Sequence, residues 1–156
     1  GLSFGGMIAI EISKFLKPEK LILFSTVKTR LELPSLYRLA GKLRLYKLLP
    51  DRAPTYALGY LNWFFGPLDQ EGRALIAAFQ RQTDPVFLKW ALKQISRWRN
   101  NTSISPHIHI HGSKDRAFPV KLTNADYVVR GSGHLCVFTN AAEVNEILVK
   151  ELGVKN

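Results

Sequence analysis

The chain has one cysteine, Cys136, and one methionine, Met7, in 156 residues. A lone thiol can neither close an intrachain disulfide nor build a cysteine cluster around a metal, and it favours a reducing compartment, so a cytoplasmic location is the expectation. Long apolar runs are also lacking. Stretches such as Leu21 to Phe24 and Trp63 to Phe65 fall far below the roughly 20 residues that cross a bilayer. Acidic residues are scarce, 12 against 22 basic ones, for a net charge of +10. Residues 28 to 50 hold half of that charge, because Lys28, Arg30, Arg38, Lys42, Arg44 and Lys47 face only Glu32 and leave +5. Such a patch can attract nucleic acid or anionic lipid. No nucleic-acid motif accompanies it, so the reading is a solvated helix face with no nucleic-acid partner, and contact with a membrane surface stays open. No repeat or low-complexity segment is present. What is there, 46% hydrophobic and 11% aromatic residues, supplies the core of one globular domain and excludes disordered and fibrous classes.

Apolar residues recur densely from Met7 to Leu16, predicting a largely buried helix that Pro18 ends. Lys20 to Ser25 follows as a short apolar strand of the kind buried on both faces. Helix followed by buried strand implies an α/β architecture. Residues 34 to 100 read differently, as four helical stretches without a strand. Pro34 to Leu49 carries Leu36, Leu39, Leu43 and Tyr46 at helical spacing; Asp51 or Thr55 opens an aromatic-rich second helix through Phe65; Asp69 opens a third; Asp84 with Pro85 opens a fourth bearing Phe87, Ala91, Ile95 and Trp98. Strand character returns at His107 to His111 and Tyr127 to Arg130, before a closing helix from Ala141 to Leu152. Residues 31–100 are therefore expected to form a helical insertion between two parts of one core, 1–30 and 101–156. Between Asp115 and His134, Val120 to Asp126 leaves room for no more than a turn.

Three short motifs carry chemistry. Gly1-Leu2-Ser3-Phe4-Gly5 matches G-x-S-x-G and runs into a helix, the downstream half of the strand, turn and helix that place a serine on a strained turn. His111-Gly112-Ser113-Lys114-Asp115 presents an aspartate at the C-terminal end of a strand, the edge of an open α/β sheet where reacting groups collect. Gly131-Ser132-Gly133-His134 places a histidine after a strand and a glycine turn. Each motif alone suits an ordinary turn, but the chain order Ser, Asp, His joins them.

On these motifs the sequence resembles the α/β-hydrolase superfamily over essentially its whole length, from the nucleophile elbow onward. The resemblance implies a mostly parallel sheet with an inserted helical cap, of which the N-terminal strands are missing. It implies Ser3 as nucleophile, His134 as general base and then acid, and Asp115 as the group that orients the imidazole. It implies acyl transfer on a small to medium ester-like substrate. The backbone N–H of Phe4 would be one oxyanion donor, and the other would come from a loop after an early strand. Because the sequence opens in mid-motif, upstream residues and any targeting signal on them are expected. By itself the chain would leave an unpaired sheet edge beside Ser3 and is expected to be unstable, with little turnover.

Other readings stand beside this one. His107, His109 and His111 alternate along one strand and share a face, a spacing that could bind zinc, although sheet contacts explain it and no metal or cofactor is expected. Cys136 reads as a buried small hydrophobe rather than a nucleophile. Trp63, Phe64, Phe65, Trp90 and Trp98 lie in the helical block, as core of the cap or as lining of an apolar substrate pocket, with Trp63, Phe64 and Trp90 the candidates for the lining. A non-catalytic or slowly turning-over ligand-binding protein of the same fold is the alternative to a hydrolase.

Overall fold

A computed structural model describes residues 1–48, 62–102 and 107–153. The first helix, α1 (Phe4–Leu16), leads to strand β1 (Leu21–Phe24); α2 (Ser35–Lys42), α3 (Gln70–Gln82) and α4 (Pro85–Arg97) follow without a strand among the described residues. Strand β2 (His107–Gly112), strand β3 (Tyr127–Val129), the short α5 (Cys136–Thr139) and the closing α6 (Ala141–Leu152) complete the order. The three strands form a parallel sheet in the order β1-β2-β3, with Leu23 opposite His109 and His111 opposite Val128. Leu2 makes an isolated parallel bridge to Phe24, so the residues just before α1 run along the free edge of β1.

Side-chain alternation along the strands fixes the layers. On one face, Leu21 and Leu23 of β1 pack with Ile10 of α1; on the other, Ile108, Ile110 and Val129 pack with Cys136 and Val144 from the α5 and α6 side. Ile10 and Leu23 are fully buried, which stabilises the fold by about 1.5–3 kcal/mol for each side chain. The sheet is thus a middle layer between helices. No helix among the described residues is long and apolar enough to cross a membrane.

The helical block begins and ends at one place. Arg30 donates its N–H to the Asn100 carbonyl at 2.7 Å, and the Asn100 side-chain amide donates to the Lys28 carbonyl at 2.7 Å. Inside the block, Asp69 accepts from the Gly72 N–H and Asp84 from the Val86 N–H, so both helix starts that the sequence marks are capped by the expected carboxylates.

Two expectations need correction, and one lies outside the described residues. The α1 helix is buried on one side only: Met7 and Ile10 are enclosed, whereas Phe15 is 83% exposed and Leu16 74%, because the sheet and α4 cover a single face. The helix expected over Pro34–Leu49 stops at Lys42 and resumes as a 3-10 turn at Leu45–Leu48, broken where Arg44 adopts a φ of 58°. Its leucines Leu36, Leu39 and Leu43 face solvent, because buried Gly41 and half-buried Tyr37 turn inward. Most of the helix expected from Asp51 or Thr55 lies outside the described residues; only its end appears, as a short turn at 62–65.

Candidate active site

Ser3 sits where the edge segment of the sheet turns into α1, with φ 53° and ψ −124°. A side chain at such a positive φ is strained by about 1–3 kcal/mol and persists only if its surroundings hold it there. They do so through the backbone. The Ser3 N–H donates to the Phe24 carbonyl at 2.9 Å, and the Ser3 carbonyl accepts from the Gly6 N–H at 2.9 Å and the Thr26 hydroxyl at 2.7 Å. Gly6 is required at this spot: a Cβ there would lie 2.7 Å from Thr26 Cγ2. Phe4 is the first residue of α1, so its N–H has no acceptor in the helix's own ladder.

Asp115 is presented by the turn that follows β2. The Lys114 N–H donates to the Ser132 carbonyl at 2.8 Å and the Ser113 N–H to the Val129 carbonyl at 3.0 Å, which locks the acid turn against the histidine loop. The two loops approach so closely that a Cβ on Gly112 would lie 2.0 Å from the Gly133 carbonyl oxygen. This contact brings Asp115 Oδ2 to 2.7 Å from His134 Nδ1, with both residues buried. Asp115 Oδ1 accepts from the Phe118 N–H at 2.9 Å, and His111 Nε2 lies 3.2 Å from Oδ2. Burial pushes the Asp115 carboxyl up, but hydrogen bonds from His111 and His134, the His134 charge and the Phe118 N–H outweigh it and hold the group below its ordinary value. The carboxylate form is therefore the one the loop is built around.

His134 is held from the helical block as well. Its backbone N–H donates to the Phe65 carbonyl at 2.7 Å, and its ring meets Phe65 edge-on at 5.7 Å and Phe118 at 5.8 Å. Ser3 and His134 line one cavity of about 310 Å³, walled by Phe65, Ile76, Phe79 and Leu88. Among the described residues neither the Ser3 hydroxyl nor His134 Nε2 has a hydrogen-bond partner. The structure thus joins Asp115 to His134 by a hydrogen bond and places Ser3 with His134 at a shared cavity, without a bond between those two. Such contacts are often long before substrate enters.

The aromatic candidates are corrected in part. Trp63 is 61% exposed, with Arg116 stacked over its ring at 4.7 Å and Phe64 edge-on at 5.2 Å, and neither aromatic lines the cavity. Trp90 packs against Phe4 and Phe87 and lines a separate groove of about 690 Å³ between α1 and α4 that holds neither Ser3 nor His134. Of the aromatics of the helical block, Phe65 does line the cavity, together with the α3 residues Ile76 and Phe79, which sequence reasoning does not single out as pocket residues. The helical spacing of Ile76 and Phe79 was visible, but which face of the helix looks into the cleft depends on tertiary packing.

The remaining candidates fall into the core. Cys136 is fully buried in the cluster with Ile110 and Val144, 3.4 Å from the Ser25 hydroxyl, and burial pushes its thiol up. His107 lies near Lys28 and Asp126, whereas His109 and His111 are wholly buried and paired with each other at 3.1 Å. Among the described residues no group of three or more His, Cys, Asp and Glu side chains is placed to hold a metal ion.

A scan against protein-family models and a search of curated proteins found no match. Solved structures do match. A thermophilic esterase from Thermogutta terrifontis is 16% identical, with a TM-score of 0.69 over 97% of this chain and 62% of that one. A putative non-heme bromoperoxidase, BpoC, from Mycobacterium tuberculosis H37Rv is 22% identical, with a TM-score of 0.67 over 100% of this chain and 66% of that one. An α/β hydrolase enzyme from a Medee basin deep-sea metagenome library is 12% identical, with a TM-score of 0.61 over 100% and 64% of the two chains. The chain therefore spans about two thirds or less of the length of the structures it resembles. At these identities the likeness establishes architecture, and the chain carries part of the α/β-hydrolase fold.

Proposed function

We propose that this chain is the triad-bearing part of a serine hydrolase that cleaves a small to medium ester with an apolar acyl or alcohol portion. The observation that carries the reading is the buried 2.7 Å bond from His134 Nδ1 to Asp115 Oδ2, with His134 and Ser3 on one cavity. With its Nδ1 proton held by the carboxylate, the imidazole leaves Nε2 unprotonated, the state in which it can accept the Ser3 proton. The Ser3 oxygen attacks the carbonyl carbon, and the resulting oxyanion takes the Phe4 N–H and the positive end of α1. His134 returns the proton to the departing alcohol oxygen as its bond to the acyl carbon breaks. Water then repeats the sequence on the acyl-serine, releasing the acid. Phe65, Ile76, Phe79 and Leu88 give the cavity an apolar wall, which favours an apolar substrate portion. In this reading residues 31–100 act as a cap on the core formed by 1–30 and 101–156.

A second reading has its own support. The Ser3 hydroxyl lacks a hydrogen bond to His134, as suits a ligand-binding protein of this fold with slow or no turnover. Labelling with a serine-reactive fluorophosphonate separates the two. The hydrolase reading expects rapid labelling that Ser3→Ala abolishes, whereas equal labelling of both proteins contradicts it.

A further inference from the structure

Two imidazoles that the proposed mechanism does not use lie directly behind Asp115. His109 and His111 project from the same face of β2, both with no exposed surface, and their rings meet edge-on at 5.1 Å. His111 Nδ1 lies 3.1 Å from His109 Nε2, while His111 Nε2 lies 2.7 Å from the Phe118 carbonyl oxygen and 3.2 Å from Asp115 Oδ2. Oδ2 therefore sits between an imidazole nitrogen from β2 and the His134 nitrogen from the histidine loop.

Counting protons assigns the roles. A carbonyl oxygen and a carboxylate can only accept, so His111 Nε2 must carry the hydrogen that faces them. A neutral His111 then has a lone pair on Nδ1, which His109 Nε2–H fills. His109 Nδ1 is left unprotonated at the end of the chain. That nitrogen is the buried side-chain polar atom without a hydrogen-bond partner among the described residues. An empty acceptor is the arrangement this assignment requires there, whereas the opposite one would set two acceptors against a bare nitrogen at Phe118 and Asp115.

We propose that His111 is a positioning residue for Asp115: its Nε2–H, held at 2.7 Å by the Phe118 carbonyl, lies 3.2 Å from Oδ2 as a second, longer contact beside His134 and, with the Phe118 N–H on Oδ1, steadies the carboxylate so that its remaining lone pair aims at His134 Nδ1. The proposal rests on the hydrolase reading for its catalytic consequence, but not for the hydrogen bond itself. His109 holds His111 in the required tautomer from behind. It stays neutral to do so: burial first, then the positive charge of Lys28 and that of His111 and His107 whenever these are protonated, push it down to about 3, with a backbone hydrogen bond at Thr26 pulling the other way. Tyr37 and Cys136 also feel the Asp115 charge, and burial pushes Tyr37 up to about 12 and Cys136 upward, so both face the site as neutral groups.

Nitrogen-15 NMR of the histidine side chains tests this on the unaltered protein. The expected result is His111 protonated at Nε2; a His111 bearing its proton on Nδ1 alone overturns the proposal, and this arm needs no variant to fold. The second arm follows the low-field proton resonance of His134 Nδ1–H while the sample is acidified. That resonance is lost when Asp115 takes up a proton, and removing a donor from a carboxylate raises the pH at which this happens. His111→Leu is expected to raise it by about half a unit to one unit, whereas His111→Gln, which restores an N–H near the same place, is expected to return it to the wild-type position. Identical midpoints in the leucine variant and the wild type overturn the proposal. The rate of fluorophosphonate labelling at Ser3 is expected to fall about 10-fold or more in His111→Leu and to recover in His111→Gln. A protein that shows the His111 Nε2 proton and the shifted midpoint, yet never labels at Ser3, would retain the positioning bond and lose the hydrolase reading.

Discussion

Around Ser3 the chain is held by its main chain, in a turn at φ 53° that the Phe24 carbonyl, the Gly6 N–H and the Thr26 hydroxyl fasten while the Ser3 hydroxyl has no partner among the described residues. Around Asp115 and His134 backbone bonds also join the loops, but there the functional side chains are themselves tied down, in a buried network of His111, the Phe118 backbone, Asp115 and His134 at 2.7–3.2 Å. The difference suits the roles proposed for the two regions. A nucleophile must be aimed but free to give up its proton, so its position is set by strained backbone. An acid and base pair must keep one tautomer, so its position is set by hydrogen bonds to protons whose location is thereby determined.

The largest expected effect breaks the second region alone. Asp115→Asn keeps the shape but gives His134 Nδ1 an amide that can present a donor, favouring the wrong tautomer; ester turnover is expected to fall about 10⁴-fold with little change in substrate binding. A kcat within a few-fold of wild type would dissociate the pair from catalysis. A smaller effect tests how the two loops are joined. Gly112→Ala sets a methyl 2.0 Å from the Gly133 carbonyl oxygen, and chemical denaturation is expected to show a loss of about 1–3 kcal/mol as the acid turn and histidine loop move apart. A variant as stable as the wild type would mean that the contact is loose.

The smallest effect concerns pH. His109 is pushed down from 6.5 to about 3 in the folded chain, so unfolding lets it bind a proton that folding denies. Its contribution is fully present above pH 6.5 and is lost as the pH falls toward 3. The slope is at most about 1.4 kcal/mol per pH unit. Asp115, whose carboxyl is held below its ordinary value, adds a loss of the same sign at lower pH. Replacing His109 by leucine should flatten the pH dependence of stability between 6.5 and the carboxylate range without abolishing it. An unchanged slope would show that His109 is not held neutral.

What the sequence revealed was local chemistry tied to short segments. Asp69 and Asp84 mark helix starts because a cap acts within three residues; the closing helix Ala141–Leu152 emerges with its observed limits, and the strand expected at His107–His111 ends one residue later, at Gly112. Ser3, Asp115 and His134 stood out for their motifs, each a few residues long. What stayed hidden depends on contacts distant in sequence. The exposed stripe Leu36, Leu39 and Leu43 looked like a core face, but Gly41 and Tyr37 turn toward the protein. Trp63, Phe64 and Phe65 are equally conspicuous aromatics in the sequence, and only the fold shows that Phe65 is the one that lines the cavity and accepts from the His134 N–H. The pairing of His109 with His111 was visible as alternation on one strand face, but its connection to Asp115 requires the turn at Gly112 to bring the carboxylate back over the end of β2.

The most direct measurement is the position of a covalent adduct. After brief exposure of the protein to a fluorophosphonate, digestion and mass spectrometry of the fragments should place one phosphonyl group on Ser3, at a rate that collapses when His134 is replaced by alanine. Modification spread over several serines, or an adduct on Ser3 that forms equally fast without the His134 imidazole, would contradict the account.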